Sequence, residues 1–248
     1  MRLTILGSGT CVPYHRRGSS SYALQLSKST ILLDCGNGAT WKLGKAKINY
    51  LDVDHIFITH FHPDHTADLI PFLFATKYAS QAHRTKPLNI CGPIGFASFF
   101  AGLTKAYGDW IEPKALRVNE IEKTEIQFED FILRSAHTLH TENSLAYRIE
   151  SEGKSLVYTG DTDYSESLVE LAEDADILLI ECSVPDDSKV EGHLSPSGVA
   201  RIASESGAKK IILTHLYPVC DESDIFACMR NQLEADVVVA EDLLVISV

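Results

Sequence analysis

Three imidazoles and a carboxylate, His60, His62, Asp64 and His65, stand within six residues directly after the short apolar run HIFIT (55–59). The run before them reads as a strand, and TADLIPFLFATKYA after them has the length and pattern of a helix. The four polar side chains therefore sit on a strand-to-helix loop. Proline at 63 fixes its own φ and restricts the residue before it, which makes this loop stiff. On such a loop alternate residues can face one metal ion and the next pair another, and imidazole nitrogen with carboxylate oxygen is a donor set that zinc accepts.

The rest of the chain repeats this grammar. LTIL (3–6), YALQL (22–26) and TILLD (30–34) read as strands broken by GSGT and KS turns, LNICGP as another, and GFASFFAGLTKAY (95–107) as a helix. Residues 115–136 read as further strands. SLAYRIE (144–150), SLVYTG (155–160) and DILLIEC (176–182) continue the pattern, with a helix near 165–173 between the last two. PSGVARIASESG (196–207) carries Pro near its first turn and Gly after its end, as helices prefer, and IILTH (211–215) again runs a strand into a histidine. A helix and two short strands, VVVA and LLVISV, are expected to close the chain. Polar candidates thus recur at the C-terminal ends of apolar strands in both halves. Two facing sheets with helices outside would bring those ends together along one edge.

Composition bounds the function. The 248 residues are 45% hydrophobic and 23% charged, enough for one sizeable core, and we read residues 1–248 as a single domain. No window approaches the roughly 18 apolar residues that cross a bilayer. The opening MRLTILGSG is too short for a signal peptide, so a cytoplasmic location is expected. The cysteines at 11, 35, 91, 182, 220 and 228 form no CxxC pair, which fits reduced thiols. A net charge of -12 argues against a broad polyanion footprint, although His15, Arg16 and Arg17 could grip one or two phosphates beside a metal centre.

The segment THFHPDH resembles the HxHxDH mark of the metallo-β-lactamase superfamily, and the likeness runs over nearly the whole chain. That resemblance implies a four-layer αββα fold: two mixed β-sheets face to face, helices on their outer faces. It also implies a distant His, then an Asp, then a last His, each at a strand end; His140, Asp161 in YTGDT and His215 in LTHLYP stand in that order. By resemblance His60, His62 and His140 hold one divalent metal ion, Asp64, His65 and His215 the other, and Asp161 bridges both. Zinc is the first expectation, with manganese and iron open. His137 competes with His140 for the third place. His140 precedes Tyr147 by seven residues, the spacing of the phosphodiesterase-like branch that includes ribonuclease Z, where Ala146 replaces the usual Gly.

Two further segments resemble that branch. LLDCGNG (32–38) is similar to its LLDCGEG, in which Asp34 braces the metal loops through hydrogen bonds. EGHLSPSGVARIA matches the stretch in which a histidine, here His193, acts on the scissile phosphate, and it lies 22 residues before His215 as in the family. RRGSSSYAL resembles an entrance stretch and makes Arg17 a substrate-binding candidate. His15, His55 and His83 have no ligand-type partner at useful spacing and are expected on the surface. The implied activity is hydrolysis of a phosphodiester by water activated between two metal ions, with Asp64 orienting it and His193 serving the leaving oxygen. Only 31 residues separate Asp161 from His193, too few for the RNA-gripping arm of transfer RNA processing enzymes. Small phosphodiesters, cyclic nucleotides or short RNA are therefore expected ahead of precursor transfer RNA. The alternatives are that 3′ endonuclease activity, a lactonase or arylsulfatase on the same fold, or a binding module without activity. A homodimer is implied by resemblance alone.

Overall fold

The computed structural model describes residues 1–79, 84, 86–222, 224, 225, 229 and 235–248. The first half of the chain builds β1 (Arg2–Gly7), β2 (Ser21–Gln25), β3 (Thr30–Leu33), β4 (His55–Phe57), β5 (Leu88–Pro93) and β6 (Leu116–Ile121). Between them lie α1 (Ala39–Lys45), α2 (Pro63–Thr66), α3 (Leu69–Lys77) and α4 (Phe96–Tyr107). The second half builds β7 (Glu125–Gln127), β8 (Ile132–His137), β9 (Leu145–Ser151), β10 (Lys154–Tyr158), β11 (Ile177–Glu181) and β12 (Lys210–Thr214), with α5 (Glu166–Leu171) and α6 (Pro196–Ser206). β13 (Asp236–Val239) and β14 (Val245–Ser247) follow.

These strands form two seven-stranded sheets, in the orders β14-β1-β2-β3-β4-β5-β6 and β13-β12-β11-β10-β9-β8-β7. Each is mixed. β3 to β6 run parallel, as do β10 to β13, while β14-β1-β2-β3 and β7 to β10 are antiparallel.

Alternation along the strands makes the layers. Ile31 and Leu33 turn inward with Leu3, Ile5 and Phe57 to meet Tyr147, Ile149, Leu156, Ile177 and Leu179 of the other sheet. Leu32, Ile56 and Ile90 turn outward onto Leu43, Phe72 and Phe96 of the helices. In the second sheet Leu178, Ile180, Ile211 and Leu213 turn outward onto Leu168, Val199 and Ile202. Both sheets are covered on both faces, which is why DILLIEC reads as a continuous apolar run rather than an alternating one. The result is the expected four-layer αββα architecture. Removing one of these buried aliphatic side chains, as in Leu→Ala, costs about 2–5 kcal/mol in such cores.

Helix ends follow local chemistry. α6 begins at Pro196 and stops at Gly207, whose φ of 67° is the left-handed end that glycine favours. α1 has no counterpart in the sequence reading. Its seven residues include Gly44, and Asp68, 28 and 30 residues away in sequence, accepts hydrogen bonds from the Thr40 and Gly38 amides at its start. The closing helix expected before VVVA and the histidine at 83 lie outside the described residues. His55, expected on the surface, is 8% exposed: it stacks on Phe57 and meets the edges of Phe128 and Phe131, aromatic contacts that a search for ligand partners does not consider.

Candidate metal centre

Chemistry gathers where the parallel strands end, at the carboxyl edge common to both sheets. β11 ends in Glu181, and just beyond the ends of the other strands come Asp34 after β3, Thr59 and the histidine loop after β4, Asp161 after β10 and His215 after β12. His62 precedes Pro63, the first residue of α2, so Asp64 and His65 ride on one helical turn while His62 is extended and His60 lies in the loop before it. Two glycines allow the approach. A Cβ on Gly36 would collide with the Asp64 carbonyl, and one on Gly160 would lie 2.7 Å from Thr59 Cβ. Asp34 and His215 hold left-handed backbone, at φ 56° and 55°, a conformation that costs a non-glycine residue on the order of 1 kcal/mol and concentrates at functional sites.

The structure brings His60, His62, His140 and Asp161 into one group and Asp64, His65 and His215 into another, ligand atoms within each lying no more than 4.8 Å apart. Asp161 stands between them. Its Oδ2 is 3.7 Å from Nε2 of both His60 and His140 and 3.3 Å from His215 Nε2, and its Oδ1 is 3.3 Å from His65 Nε2. Asp64 Oδ2 is 3.4 Å from His215 Nε2 and accepts the Cys11 amide at 3.1 Å. His137 stays outside the cluster, exposed at the end of β8, while His140 donates through Nδ1 to the Gly192 carbonyl at 2.9 Å and turns Nε2 inward.

Whether a cation fits can be tested on the donors themselves. Nε2 of His60, His65 and His215 and Oδ1 of Asp161 are buried without a hydrogen-bond partner. Each such atom costs about 1–3 kcal/mol, and four converging on one spot form a site that divalent cations would relieve. The shifts trace the same convergence. Burial works to raise the Asp161 pKa, yet His215, His65 and His60 hold its carboxyl well below the usual range. Burial lowers the His60 pKa, and the neighbouring imidazoles lower it further against the pull of Asp161, whereas His65, despite its burial, is held well above the ordinary imidazole value by Asp161 and Asp34.

Asp34 braces this loop. Its Oδ1 accepts the Thr59 amide at 2.7 Å, and its Oδ2 accepts Thr59 Oγ1 at 2.8 Å, Tyr158 OH at 2.7 Å and His65 Nδ1 at 2.7 Å. A carboxylate only accepts, so His65 carries its proton on Nδ1 and presents Nε2 to the centre.

Sequence reasoning missed Glu181. Its carboxylate is 1% exposed; it accepts the Thr162 amide and the Ser183 hydroxyl, the Leu194 amide at 3.2 Å and His193 Nδ1 at 3.2 Å. Burial raises its pKa, opposed by the His193 hydrogen bond. His193 responds in kind: burial would lower its pKa, but the hydrogen bond and charge of Glu181 hold it above the ordinary imidazole value. Its other nitrogen is left for the cluster, where His193 lies with Asp161 and His215 in a third group. The only hint in the sequence is an acidic residue at the end of ILLIE, where a buried strand would otherwise continue apolar.

Arg17 does not join these residues. Its guanidinium is 4% exposed, donates to both oxygens of Asp221 at 3.0 and 2.7 Å, and reaches Ser8 Oγ at 2.9 Å and the Ala240 carbonyl at 2.5 Å. These bonds tie β1, the turn after His215 and the end of β13 together, so the side chain placed at the substrate from its sequence neighbours is occupied in holding the scaffold. Arg17→Met should lower the unfolding free energy by about 3 kcal/mol in urea titrations, because Asp221 loses its buried partner. A raised KM at unchanged stability would return Arg17 to the substrate.

Solved structures place this architecture in a class. The metallo-β-lactamase-fold protein YhfI of Bacillus subtilis superposes with a TM-score of 0.85 at 26% identity, covering 99% of this chain and 98% of that one. The short form of human tRNase Z superposes with a TM-score of 0.81 at 25% identity over 100% and 99% of the two chains. By sequence alignment YhfI, a probable metallo-hydrolase, is 30% identical over 220 residues, 87% of each chain. Ribonuclease Z of Methanosarcina acetivorans is 27% identical over 98% of this chain and 97% of its own. The fold and the convergent donors are thus those of a metal-dependent hydrolase of the metallo-β-lactamase fold. Within that class the family model of the Anti-Pycsar protein Apyc1 matches residues 1–225, and the chain belongs to that family.

Proposed function

We propose that this hydrolase is a phosphodiesterase that holds two divalent metal ions, zinc first among them. His60, His62 and His140 take one ion, Asp64, His65 and His215 the other, and Asp161 lies across both. The observation that carries the reading is Asp161, buried with one oxygen unpartnered and with four imidazoles within 3.7 Å, three at Oδ2 and one at Oδ1. Bound there, such ions supply positive charge at the reacting oxygens and lower the pKa of water towards neutrality.

The remaining work falls to side chains. Asp64 orients the attacking water. His193, whose pKa Glu181 holds above the ordinary imidazole value, faces the cluster with its other nitrogen and delivers a proton, or a hydrogen bond, to the leaving oxygen. Glu181 fixes the ring's orientation, as the carboxylate of a catalytic triad does.

Charge limits the substrate. Near the centre, Lys189 is paired with Asp163 at 2.7 Å and Arg17 with Asp221, so neither is a free cation at its border. Residues 162–192 are taken up by α5, β11 and a short turn, with no inserted arm. With the net charge of -12, these features favour small phosphodiesters, cyclic nucleotides or short RNA over precursor transfer RNA, the ribonuclease Z relatives notwithstanding. A cytoplasmic setting suits this reading, since none of the described cysteines is bridged to another and no helix among the described residues is long and apolar enough to cross a membrane.

The test is a panel on metal-loaded protein: bis(p-nitrophenyl) phosphate, 2′,3′- and 3′,5′-cyclic nucleotides, a transfer RNA precursor, a lactone and an aryl sulfate. Turnover of the diesters well above that of the lactone and sulfate is expected. A dominant lactone or sulfate activity would overturn the phosphodiesterase reading, and metal analysis of the same preparation identifies the ions.

A further inference from the structure

The two sheets carry the same device at their carboxyl edges. In the first, a buried carboxylate, Asp34, holds His65 directly and His60 through a hydroxyl. Thr59 Oγ1 gives its only proton to Asp34 Oδ2 at 2.8 Å and so receives one from His60 Nδ1, 3.0 Å away. In the second, Glu181 holds His193 directly and His215 through a hydroxyl: Ser183 Oγ gives its proton to Glu181 Oε2 and receives one from His215 Nδ1 at 3.0 Å. Thr59 and Ser183 are both fully buried, so water does not compete for these bonds.

The two copies differ in what they serve. Around Asp34 both imidazoles face the metal pockets. Around Glu181 one imidazole, His215, is in a ligand group and the other, His193, stands in the catalytic position. Ser183 Oγ touches both rings, lying 3.3 Å from His193 Nδ1 as well. This one atom lies within hydrogen-bond distance of Glu181, His193 and His215 together.

We propose that Ser183 is a positioning residue: its hydroxyl locks His215 in the tautomer that turns a bare Nε2 to the cation pocket and ties that ring to the Glu181–His193 pair, so that ligand and proton donor share one register. This rests on the roles of His215 and His193 proposed above. Losing the hydroxyl frees His215 to rotate or change tautomer and removes one of the four donors that orient Glu181. Both metal affinity and turnover then fall together, although Ser183 touches neither metal nor substrate.

The experiment compares full-length wild type, Ser183→Ala and Ser183→Thr, reading zinc affinity by competition with a chromogenic chelator and kcat and KM separately on bis(p-nitrophenyl) phosphate. For Ser183→Ala the expectation is a loss of zinc affinity of about 10-fold or more and a comparable drop in kcat, with KM within about twofold. Ser183→Thr, which keeps the hydroxyl, should recover most of both. If Ser183→Ala does not fold, Ser183→Val against Ser183→Thr makes the same comparison at equal size. Zinc affinity and kcat that ignore the hydroxyl in either pair overturn the proposal, as does a Thr variant as impaired as the one without a hydroxyl. Wild type that binds no zinc would instead overturn the reading of the pocket itself.

Discussion

Replacing His193 by Ala should lower kcat on a phosphodiester by about 100-fold or more while leaving metal content at the wild-type level. The two readouts separate because of where the ring is held. His193 hangs from Glu181 on the loop before α6, and without it Asp64, His65 and His140 keep their hydrogen bonds to Cys11, Asp34 and Gly192, and His60 keeps its own to Thr59. His193→Ala also leaves Glu181 short of one donor, but the Thr162 and Leu194 amides and the Ser183 hydroxyl still satisfy it. Turnover within a few-fold of wild type would remove His193 from the chemistry. A parallel loss of zinc would make it a ligand instead, as its place beside Asp161 and His215 permits.

Asp34→Asn should do the reverse, striking the metal first. Asparagine tolerates the left-handed backbone at this position and fills nearly the same volume, so the change is confined to hydrogen bonding. It presents an NH2 group where the carboxylate accepted from Thr59, Tyr158 and His65, and these buried donors cannot all be satisfied. Zinc affinity is expected to fall by about 10- to 100-fold, measured by chelator competition. The unfolding free energy of the apoprotein should drop by about 1–3 kcal/mol in urea. An Asn variant with wild-type affinity and stability would show that Asp34 merely forms a turn.

How much of this was legible in the sequence depends on how far apart in the chain the cooperating residues lie. The histidine loop announces itself because its four polar side chains are contiguous and follow an apolar run. Strands such as TILL and ILLIE are legible because burial on one or both faces leaves a period-two or continuous apolar signature. His140, Asp161 and His215 are each a single polar residue at a strand end, visible only by resemblance to a known pattern. Glu181 and Ser183 carry no such mark, since their function arises from meeting His193 and His215 in space. Arg17 and His55 fail the other way. A sequence displays a side chain's charge but not its burial, so a cation locked onto Asp221 was expected at the substrate and an imidazole packed among phenylalanines on the surface. α1 escaped notice because its start is completed by Asp68, from beyond the histidine loop.

Of the residues proposed to surround the ions, His60, His62, Asp64 and His65 hang from the first sheet and His140, Asp161 and His215 from the second. Neither half owns a complete set. Held by that set, a cation would be retained only after the two sheets have docked and would then join them across their seam, so that the working protein and the correctly assembled protein would be the same population.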